Sequence, residues 1–203
     1  SPFAVLKGVA NLPAAFFDAG VLLRRYRPDL VVGLGGYSSG PVVLLAAVNR
    51  VATLILEQNA VPGVTNRLLG TVVRAAAVSY QDTLGCFGHK GFVSGNPVRA
   101  GFFESAPPRK AMTEPRILVI GGSQGAHAIN VAMIEAVPSL VKSLGVIHVT
   151  HQTGQVDFDM VARAYQSVGV DVRVEPFLNK MDSEMSDADV VVCRAGATTL
   201  AEL

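Results

Sequence analysis

The sequence predicts an α/β protein built from two doubly wound parallel sheets of the Rossmann type. Short continuous apolar runs recur along the chain, and each is followed by a glycine-rich or polar turn and then by a stretch with helical periodicity. This alternation is typical of parallel sheets that are buried on both faces. The pattern starts again after the polar, proline-rich residues 105–115, which indicates two domains within the 203 residues.

In the first half, the apolar residues 30–34 predict a buried strand. The glycine-rich residues 35–40 form the loop after it. Pro41 suits the first turn of a helix to about Arg50, because that turn needs no N–H from it. Further elements follow in the same order: a strand at 53–56, a helix at about 64–74, and strands near Ala77 and Val93.

In the second half, residues 116–120 predict a strand, 121–125 a turn, and the next residues a helix to about Ala136. Right-handed crossovers bring the turns after all strands of a sheet to one edge, where ligands bind. We predict domains at residues 1–104 and 116–203, with a linker at 105–115. The later elements are strands at 146–150, 170–174 and 189–193, and helices at about 157–167 and near Asp182.

Composition narrows the functional classes. The net charge of +1 gives no electrostatic argument for a nucleic-acid partner, and Cys86 and Cys193 fit neither a disulfide framework nor a zinc site. No apolar run reaches the length of a membrane-spanning helix. The apolar and basic residues 3–26 either pack as ordinary helices or lie at a membrane surface. Because the chain opens on Ser1 and stops within a predicted helix, we expect the central part of a longer protein.

Three glycine-rich or polar turns follow predicted strands and are candidate binding sites. Residues 121–126, GGSQGA, join a strand to a helix, where free N–H groups attract phosphate, although a tight turn needs glycine for its shape alone. Residues 194–202 repeat this arrangement, and there Glu202 is either a ligand or a first-turn acid favoured by the helix dipole. Glu57 and Asn59, at the end of another strand, either bind a polyol or cap a loop.

Metal chemistry has weak support in the sequence. Two Asp-x-Asp matches occur, at residues 157–159 and 187–189, but the first fits the start of a helix and the second joins a helix end to a strand start. The histidines have no spacing that is typical of metal ligands, and we expect them to be surface or packing residues. We therefore predict no metal site and no cofactor. The histidines are His89, His127, His148 and His151.

Five segments, in order and in spacing, resemble the MurG family of UDP-N-acetylglucosamine transferases of peptidoglycan synthesis, which have the GT-B fold. The segments are residues 35–41, 57–59, 95–99, 121–126 and 193–199, with sequences GGYSSGP, EQN, GNPVR, GGSQGA and CRAGATT. The resemblance extends over nearly the whole chain. It implies that the first domain binds a lipid-linked acceptor and that the second binds the nucleotide-sugar donor.

The resemblance also implies roles for single residues in the donor site. Ser123 would bind the diphosphate, and Arg99 would lie in the donor site. The backbone of Leu178 would meet the uracil, and Glu202 would accept the ribose hydroxyls. These four positions cover the nucleotide from base to phosphate.

The remaining implied roles concern the sugar. The helix end at Ala197, Thr198 and Thr199 would face the phosphate and the sugar, and Asn59 would contact the transferred sugar. Within the chain, Glu57 is the candidate for a general base, while the stronger family candidate precedes Ser1 and the family's paired glutamines follow Leu203. The family's usual His before Glu-Gln-Asn is replaced here by Leu56.

The implied activity is inverting transfer of N-acetylglucosamine to undecaprenyl-diphospho-muramoyl-pentapeptide, by a peripheral enzyme at the cytoplasmic face of the bacterial inner membrane. We expect the 203-residue chain alone to be inactive. One alternative is another GT-B enzyme, such as a diacylglycerol glycosyltransferase. Another is a non-enzymatic Rossmann-like nucleotide-binding module or an oxidoreductase. A dinucleotide fingerprint would support the oxidoreductase, but neither second-half glycine turn fits one.

Overall fold

A computed structural model describes residues 12–103, 114–168 and 172–203. The chain forms two compact units, the first ending at Pro97 and the second beginning at Val98. Each unit contains a four-stranded sheet in which all neighbouring strands are parallel. The predicted α/β class with two Rossmann-like sheets is confirmed. Most of the predicted linker lies outside the described residues, and the predicted domain limits stay a prediction.

The first unit has the strand order β1-β2-β3-β4. Its core lies where helix and sheet side chains meet, with Val43, Ile55 and Val78 fully buried. These residues come from the continuous apolar runs that predicted the strands and from the apolar helix after the first strand. The elements are α1 (Leu12–Tyr26), β1 (Leu30–Gly33), α2 (Ser39–Val48), β2 (Ala52–Glu57), α3 (Val64–Leu69), β3 (Ala75–Val78) and β4 (Gly91–Val93), with 3₁₀ turns at Gln81–Cys86 and Gly88–Lys90.

The second unit has the strand order β7-β6-β5-β8, which places β5 in the middle of the sheet. One face of the sheet packs on the two longest helices of the unit through Val119, Val137 and Val161. The other face carries Leu118 and Ile120, against which the buried Leu178 packs from the loop after β7. The elements are a 3₁₀ turn at Ala100–Phe103, β5 (Arg116–Ile120), α4 (His127–Leu144), β6 (His148–Gln152), α5 (Phe158–Val168), β7 (Val172–Glu175), α6 (Met181–Asp187), β8 (Val190–Cys193) and α7 (Ala197–Glu202).

Two helices differ in length from the prediction. Helix α3 ends at Leu69 rather than near Arg74, and Gly70 follows it with helical backbone angles. Gly70 packs so closely on Phe87 that an added Cβ would lie 2.7 Å from its ring. Helix α4 continues past Pro138 to Leu144 and stops before Gly145, which adopts φ +77°. A left-handed glycine is a common helix terminator, whereas proline within a helix removes one hydrogen bond without always ending it.

No helix within the described ranges combines the length and the hydropathy that crossing a lipid bilayer requires.

Candidate functional site

The carboxyl edge of the second sheet brings several turns together. In the strand register, Ile120 at the end of β5 lies opposite Gln152 on β6 and opposite Cys193 on β8. The turn after β5 is therefore flanked by the turns after β6 and β8. This is the edge at which doubly wound sheets bind ligands, and the central turn is the glycine-rich segment 121–126.

The glycine-rich turn is held in one conformation by its neighbours. The N–H of Gly125 donates to the carbonyl oxygen of Gly122 at 2.8 Å, and both glycines have positive φ values of +76° and +88°. A Cβ on Gly125 would collide with the backbone of Thr153, and a Cβ on Gly154 would collide with that of Gln124. The two turns are thus in backbone contact, which requires glycine on both sides.

The helix after this turn starts without a capping side chain. Ala126 occupies the position before α4, and no side-chain hydrogen bond caps the first turn. The unpaired N–H groups at the start of an 18-residue helix therefore face the end of the glycine turn. Ser123, at the tip of the turn, is exposed. Phosphate binding is chemically reasonable here, although the glycines are already required by packing.

A cavity of about 440 Å³ opens beside the glycine turn and collects most of the predicted donor residues. It lies within the second unit. Ala197 does not line it, and Glu57 and Asn59 belong to the first unit. The predicted residues that do line it are Arg99, Ser123, Leu178, Thr198, Thr199 and Glu202.

Arg99 and Glu202 form an ion pair at one wall of this cavity. The Arg99 Nη2 atom lies 3.3 Å from Glu202 Oε1, and the Arg99 guanidinium also stacks 5.0 Å from the centre of the Phe102 ring. The Arg99 side chain is 64% exposed and that of Glu202 only 12%. The Arg99 contact occupies one carboxylate oxygen of Glu202, and Oε2 has no contact of this kind within the described structure.

Leu178 reaches the same cavity in a different way. Its side chain is buried at 4% exposure and packs in the cluster with Leu118 and Ile120. Only its backbone is therefore suited to contact a ligand, which is the role that the sequence resemblance implied.

The sequence did not single out Gln152, which is buried at the end of β6. Its Nε2 atom donates to the Gly122 carbonyl at 2.9 Å, and the residue also lines the cavity. Gln152 thus fixes the orientation of the first peptide of the glycine turn. A polar residue at the carboxyl end of a strand next to β5 is the sequence feature that could have indicated Gln152.

A buried polar chain supports the turn after β6. His151 is fully buried, and its Nδ1 lies 2.9 Å from the Tyr165 hydroxyl while its Nε2 lies 3.0 Å from Asn130 Oδ1. Asn130 donates through Nδ2 to the Thr153 carbonyl and to the Asp157 carboxylate. Because both Nδ2 contacts are to acceptors, Asn130 Oδ1 is the atom that accepts a hydrogen bond from His151 Nε2–H.

The protonation of this chain follows from its hydrogen bonds. With the proton on Nε2, His151 Nδ1 accepts a hydrogen bond from the Tyr165 hydroxyl, and the imidazole is in its neutral form. Burial lowers the His151 pKa from 6.5 to about 4, and burial also raises the Tyr165 pKa. The hydrogen bonds from Asn130 and then from His127 lower the pKa of the Asp157 carboxyl. The chain is therefore neutral at its buried end and charged at its exposed end.

The first unit has its own polar edge, centred on Glu57. This carboxylate is 2% exposed and accepts four hydrogen bonds, two at each oxygen. Oε1 receives the Asn59 backbone N–H and side-chain amide, and Oε2 receives the Gly63 N–H and Asn66 Nδ2. Asn66 Nδ2 also donates to the Leu56 carbonyl, so this donor is fully used. Glu57 therefore fixes the turn that carries Asn59.

A cavity of about 240 Å³ lies beside this turn. It is lined by both predicted segments of the first unit, including Gly36, Tyr37, Gln58 and Asn59. Tyr37 is 90% exposed. Glu57 is the sole charged residue among those lining it, and its carboxylate is already fully hydrogen-bonded.

Both Asp-x-Asp matches lie at the ends of helices or strands. Asp157 lies directly before α5 and accepts from Asn130 and His127, and Asp159 is in the first turn of that helix. Asp187 ends α6, and Asp189 precedes β8 and accepts the Arg116 N–H. Within residues 12–103, 114–168 and 172–203, His, Cys, Asp and Glu side chains form no group of three or more suited to a metal ion.

Helix α1 presents an apolar surface. Phe17 is 73% exposed, while Ala19 is buried. A groove of about 430 Å³ runs past Phe16, Phe17 and Arg24 to Leu45 of α2. The sequence prediction of a membrane surface covered residues 3–26, of which residues 3–11 lie outside the described structure.

Comparison with known proteins agrees with this geometry. Residues 3–78 match the glycosyltransferase family 28 N-terminal domain, and residues 116–203 match the family's C-terminal domain. Two relatives carry the name UDP-N-acetylglucosamine--N-acetylmuramyl-(pentapeptide) pyrophosphoryl-undecaprenol N-acetylglucosamine transferase. The one from Anaeromyxobacter dehalogenans (strain 2CP-1) is 48% identical over 97% of this chain and 54% of its own length. The one from Syntrophus aciditrophicus (strain SB) is 43% identical over 100% and 56%.

Solved structures give the same relationship. Acinetobacter baumannii MurG aligns with a TM-score of 0.68 and 32% identity, covering 98% of this chain and 55% of that protein. Staphylococcus aureus MnaA in complex with UDP aligns at 0.66 with 12% identity, over 94% and 60%, which shows a shared fold alone. The chain spans about half the length of the curated relatives it matches. The resemblance to MurG that the five motifs carried is confirmed, and the chain belongs to glycosyltransferase family 28.

Proposed function

We propose that this chain provides the donor site and part of the acceptor site of an inverting N-acetylglucosaminyltransferase. The donor is UDP-N-acetylglucosamine, and the acceptor is the lipid-linked muramoyl-pentapeptide of peptidoglycan synthesis. The observation that carries the proposal is the cavity of about 440 Å³ in which Ser123, Thr199 and Glu202 meet at one sheet edge. The names of the relatives support the choice of substrates.

In this proposal the donor lies along the edge of the second sheet. The uracil meets the Leu178 backbone, and Glu202 accepts the ribose hydroxyls through the oxygen that Arg99 leaves available. Ser123 and the first N–H groups of α4 contact the diphosphate, and Thr198 and Thr199 supply hydroxyl donors close by. Ala197 precedes them at the start of α7 and contributes by placing that turn.

The reaction requires charge stabilisation and removal of one proton. The acceptor hydroxyl oxygen bonds to the anomeric carbon as its bond to the UDP oxygen breaks, and the electron pair leaves with UDP. Fixed N–H groups beside the departing diphosphate lower the energy of that charge, since they need no reorganisation during the reaction. The acceptor proton passes to a general base.

The structure favours a positioning role for Glu57 over the role of base. Its two oxygens already accept four hydrogen bonds, from Asn59, Gly63 and Asn66, and the side chain is 2% exposed. A base must instead reach the substrate proton directly or through one water. We propose that Glu57 holds Asn59 in place beside the transferred sugar.

A lipid-linked acceptor requires that the enzyme work at a membrane surface. We propose peripheral attachment at the cytoplasmic face of the inner membrane, with the exposed Phe17 and the basic Arg24 and Arg25 of α1 at the contact. Apolar side chains flanked by cations are the combination that binds anionic lipid surfaces. A nucleic-acid partner has no comparable support, since the net charge is only +1.

Calorimetry on the 203-residue chain tests the donor site directly. We expect binding of UDP and UDP-N-acetylglucosamine and none of NAD. A transfer assay with a protein of the relatives' full length then compares the lipid-linked muramoyl-pentapeptide with diacylglycerol as acceptors. Binding of NAD in place of UDP, or transfer to diacylglycerol alone, would reject the proposal.

A further inference from the structure

Arg194 lies beside the glycine turn without having been assigned a role. It follows β8 directly, and β8 pairs with β5 so that Cys193 is opposite Ile120. The register therefore places Arg194 next to the start of the turn. Its Nη2 atom is so close to Gly122 that a Cβ built there would lie 2.8 Å away.

The charge of Arg194 is not compensated by the surrounding protein. Arg99, Arg116 and Arg173 each have a carboxylate within ion-pair distance. In the described parts of the chain, the Arg194 side chain has neither an ion pair nor a hydrogen bond, and the residue is exposed. A free guanidinium at a ligand-binding edge can bind an anion without first breaking an internal contact.

The space around Arg194 joins the donor cavity. A cavity of about 350 Å³ is lined by Arg194, Gly122, Gly196 and Thr199, and Gly122 and Thr199 also line the larger cavity. The orientation of the Gly122 carbonyl is fixed by two hydrogen bonds, which it accepts from Gln152 Nε2 and from the Gly125 N–H. The guanidinium thus lies beside a hydrogen-bonded turn and borders the open space of the cavity.

We propose that Arg194 is a specificity-determining residue that binds the diphosphate of the nucleotide. Guanidinium groups bind phosphate oxygens through paired N–H donors and keep their charge at all physiological pH values. In this arrangement Glu202 recognises the ribose and Arg194 recognises the anionic part of the same ligand. The inference rests on the proposed nucleotide-sugar function. It adds that the site distinguishes uridine, UMP and UDP by their phosphate groups.

The test compares three ligands on four proteins. Uridine, UMP and UDP are titrated by calorimetry into the 203-residue chain and into its Arg194→Gln, Arg194→Lys and Arg163→Gln variants. Arg163 is an exposed arginine on α5 and serves as the matched control for loss of one charge. Thermal unfolding of each protein checks that the fold is kept.

We expect Arg194→Gln to weaken UDP binding about 10-fold and to leave uridine binding unchanged, because charge-assisted hydrogen bonds are lost only with the phosphates. Arg194→Lys should retain part of the preference for UDP over uridine, and Arg163→Gln should retain all of it. Equal losses for UDP and uridine would mean that Arg194 only shapes the turn, which overturns the inference. Unchanged UDP binding in both Arg194 variants would overturn it too, while the proposed function would stand. Failure of the unsubstituted chain to bind UDP would instead reject the donor site itself.

Discussion

Glu57→Gln is the substitution that most directly tests the polar edge of the first unit. The two side chains have nearly the same shape, but glutamine replaces one acceptor oxygen with an NH₂ donor. In the native structure each oxygen faces two N–H donors. Whichever way the amide turns, its NH₂ group must face two N–H groups.

The expected loss of stability follows from these contacts. Two hydrogen bonds to a charged group disappear, at about 1.5–3 kcal/mol each, and two more become neutral and weaker. Burying a neutral amide instead of a carboxylate reduces the desolvation cost and offsets part of this loss. We therefore expect a net destabilisation of about 2–4 kcal/mol. Asn59→Ala, which removes one side-chain donor and leaves the backbone N–H in place, should cost only about 1 kcal/mol.

Urea unfolding followed by circular dichroism measures these differences, since the chain contains no Trp for fluorescence. Amide hydrogen exchange assigns the effect to a unit: β2 and α3 should exchange faster in Glu57→Gln, while β5 and β6 stay unchanged. Glu135→Gln, at an exposed position on α4, is the control and should stay within about 0.5 kcal/mol of the native chain. A Glu57→Gln variant as stable as the control would refute the reasoning that these four hydrogen bonds stabilise the turn.

Three further substitutions test other parts of the molecule. Burial lowers the pKa of His151 from 6.5 in the unfolded chain to about 4 in the folded chain, so the unfolded chain binds more protons between these pH values. The free energy of unfolding should therefore fall by up to about 3 kcal/mol from pH 6.5 to pH 4. His151→Gln should reduce this pH dependence, as measured by urea unfolding at each pH. Glu202→Ala should weaken UDP binding about 10-fold and abolish the preference for UDP over 2′-deoxy-UDP, whereas a retained preference in calorimetry would place ribose recognition elsewhere. Phe17→Ser should reduce sedimentation of the protein with anionic vesicles without changing its unfolding, because Phe17 is 73% exposed. The control Val156→Ser, also at an exposed position, should change neither sedimentation nor unfolding. If Phe17→Ser binds vesicles as well as the native chain does, Phe17 is not part of a membrane-binding surface.

The strand and turn positions followed from the sequence because buried parallel strands are continuous apolar runs. The same logic placed Ser123, Thr199 and Glu202 at one edge, since each lies in or after a turn at a strand's carboxyl end. The resemblance supplied Leu178, and its buried side chain agrees with a backbone role.

The supporting contacts were not predictable in this way. Gln152 and Arg194 act on Gly122 through the pairing of β5 with β6 and β8, and the sequence does not give that register. The four donors to Glu57 include Asn66, nine positions along the chain, which is brought back by α3. Helix α4 continues through Pro138 to Leu144, whereas the sequence predicted an end before this proline because proline removes a helical hydrogen bond.

The distribution of charge separates the two edges by the ligands they suit. Among the residues that line the cavity of the first unit, Glu57 is the one charged group, and its carboxylate already accepts four hydrogen bonds. A phosphate placed there would meet a carboxylate and no cation among the lining residues, which is unfavourable, whereas sugar hydroxyls and amides would find Gln58 and Asn59. The cavities of the second unit contain Arg99 and Arg194 instead, and Glu202 already has a partner. The charges of the lining residues thus support the proposal that the second unit binds the anionic nucleotide, whereas the lining of the first unit suits uncharged sugar groups.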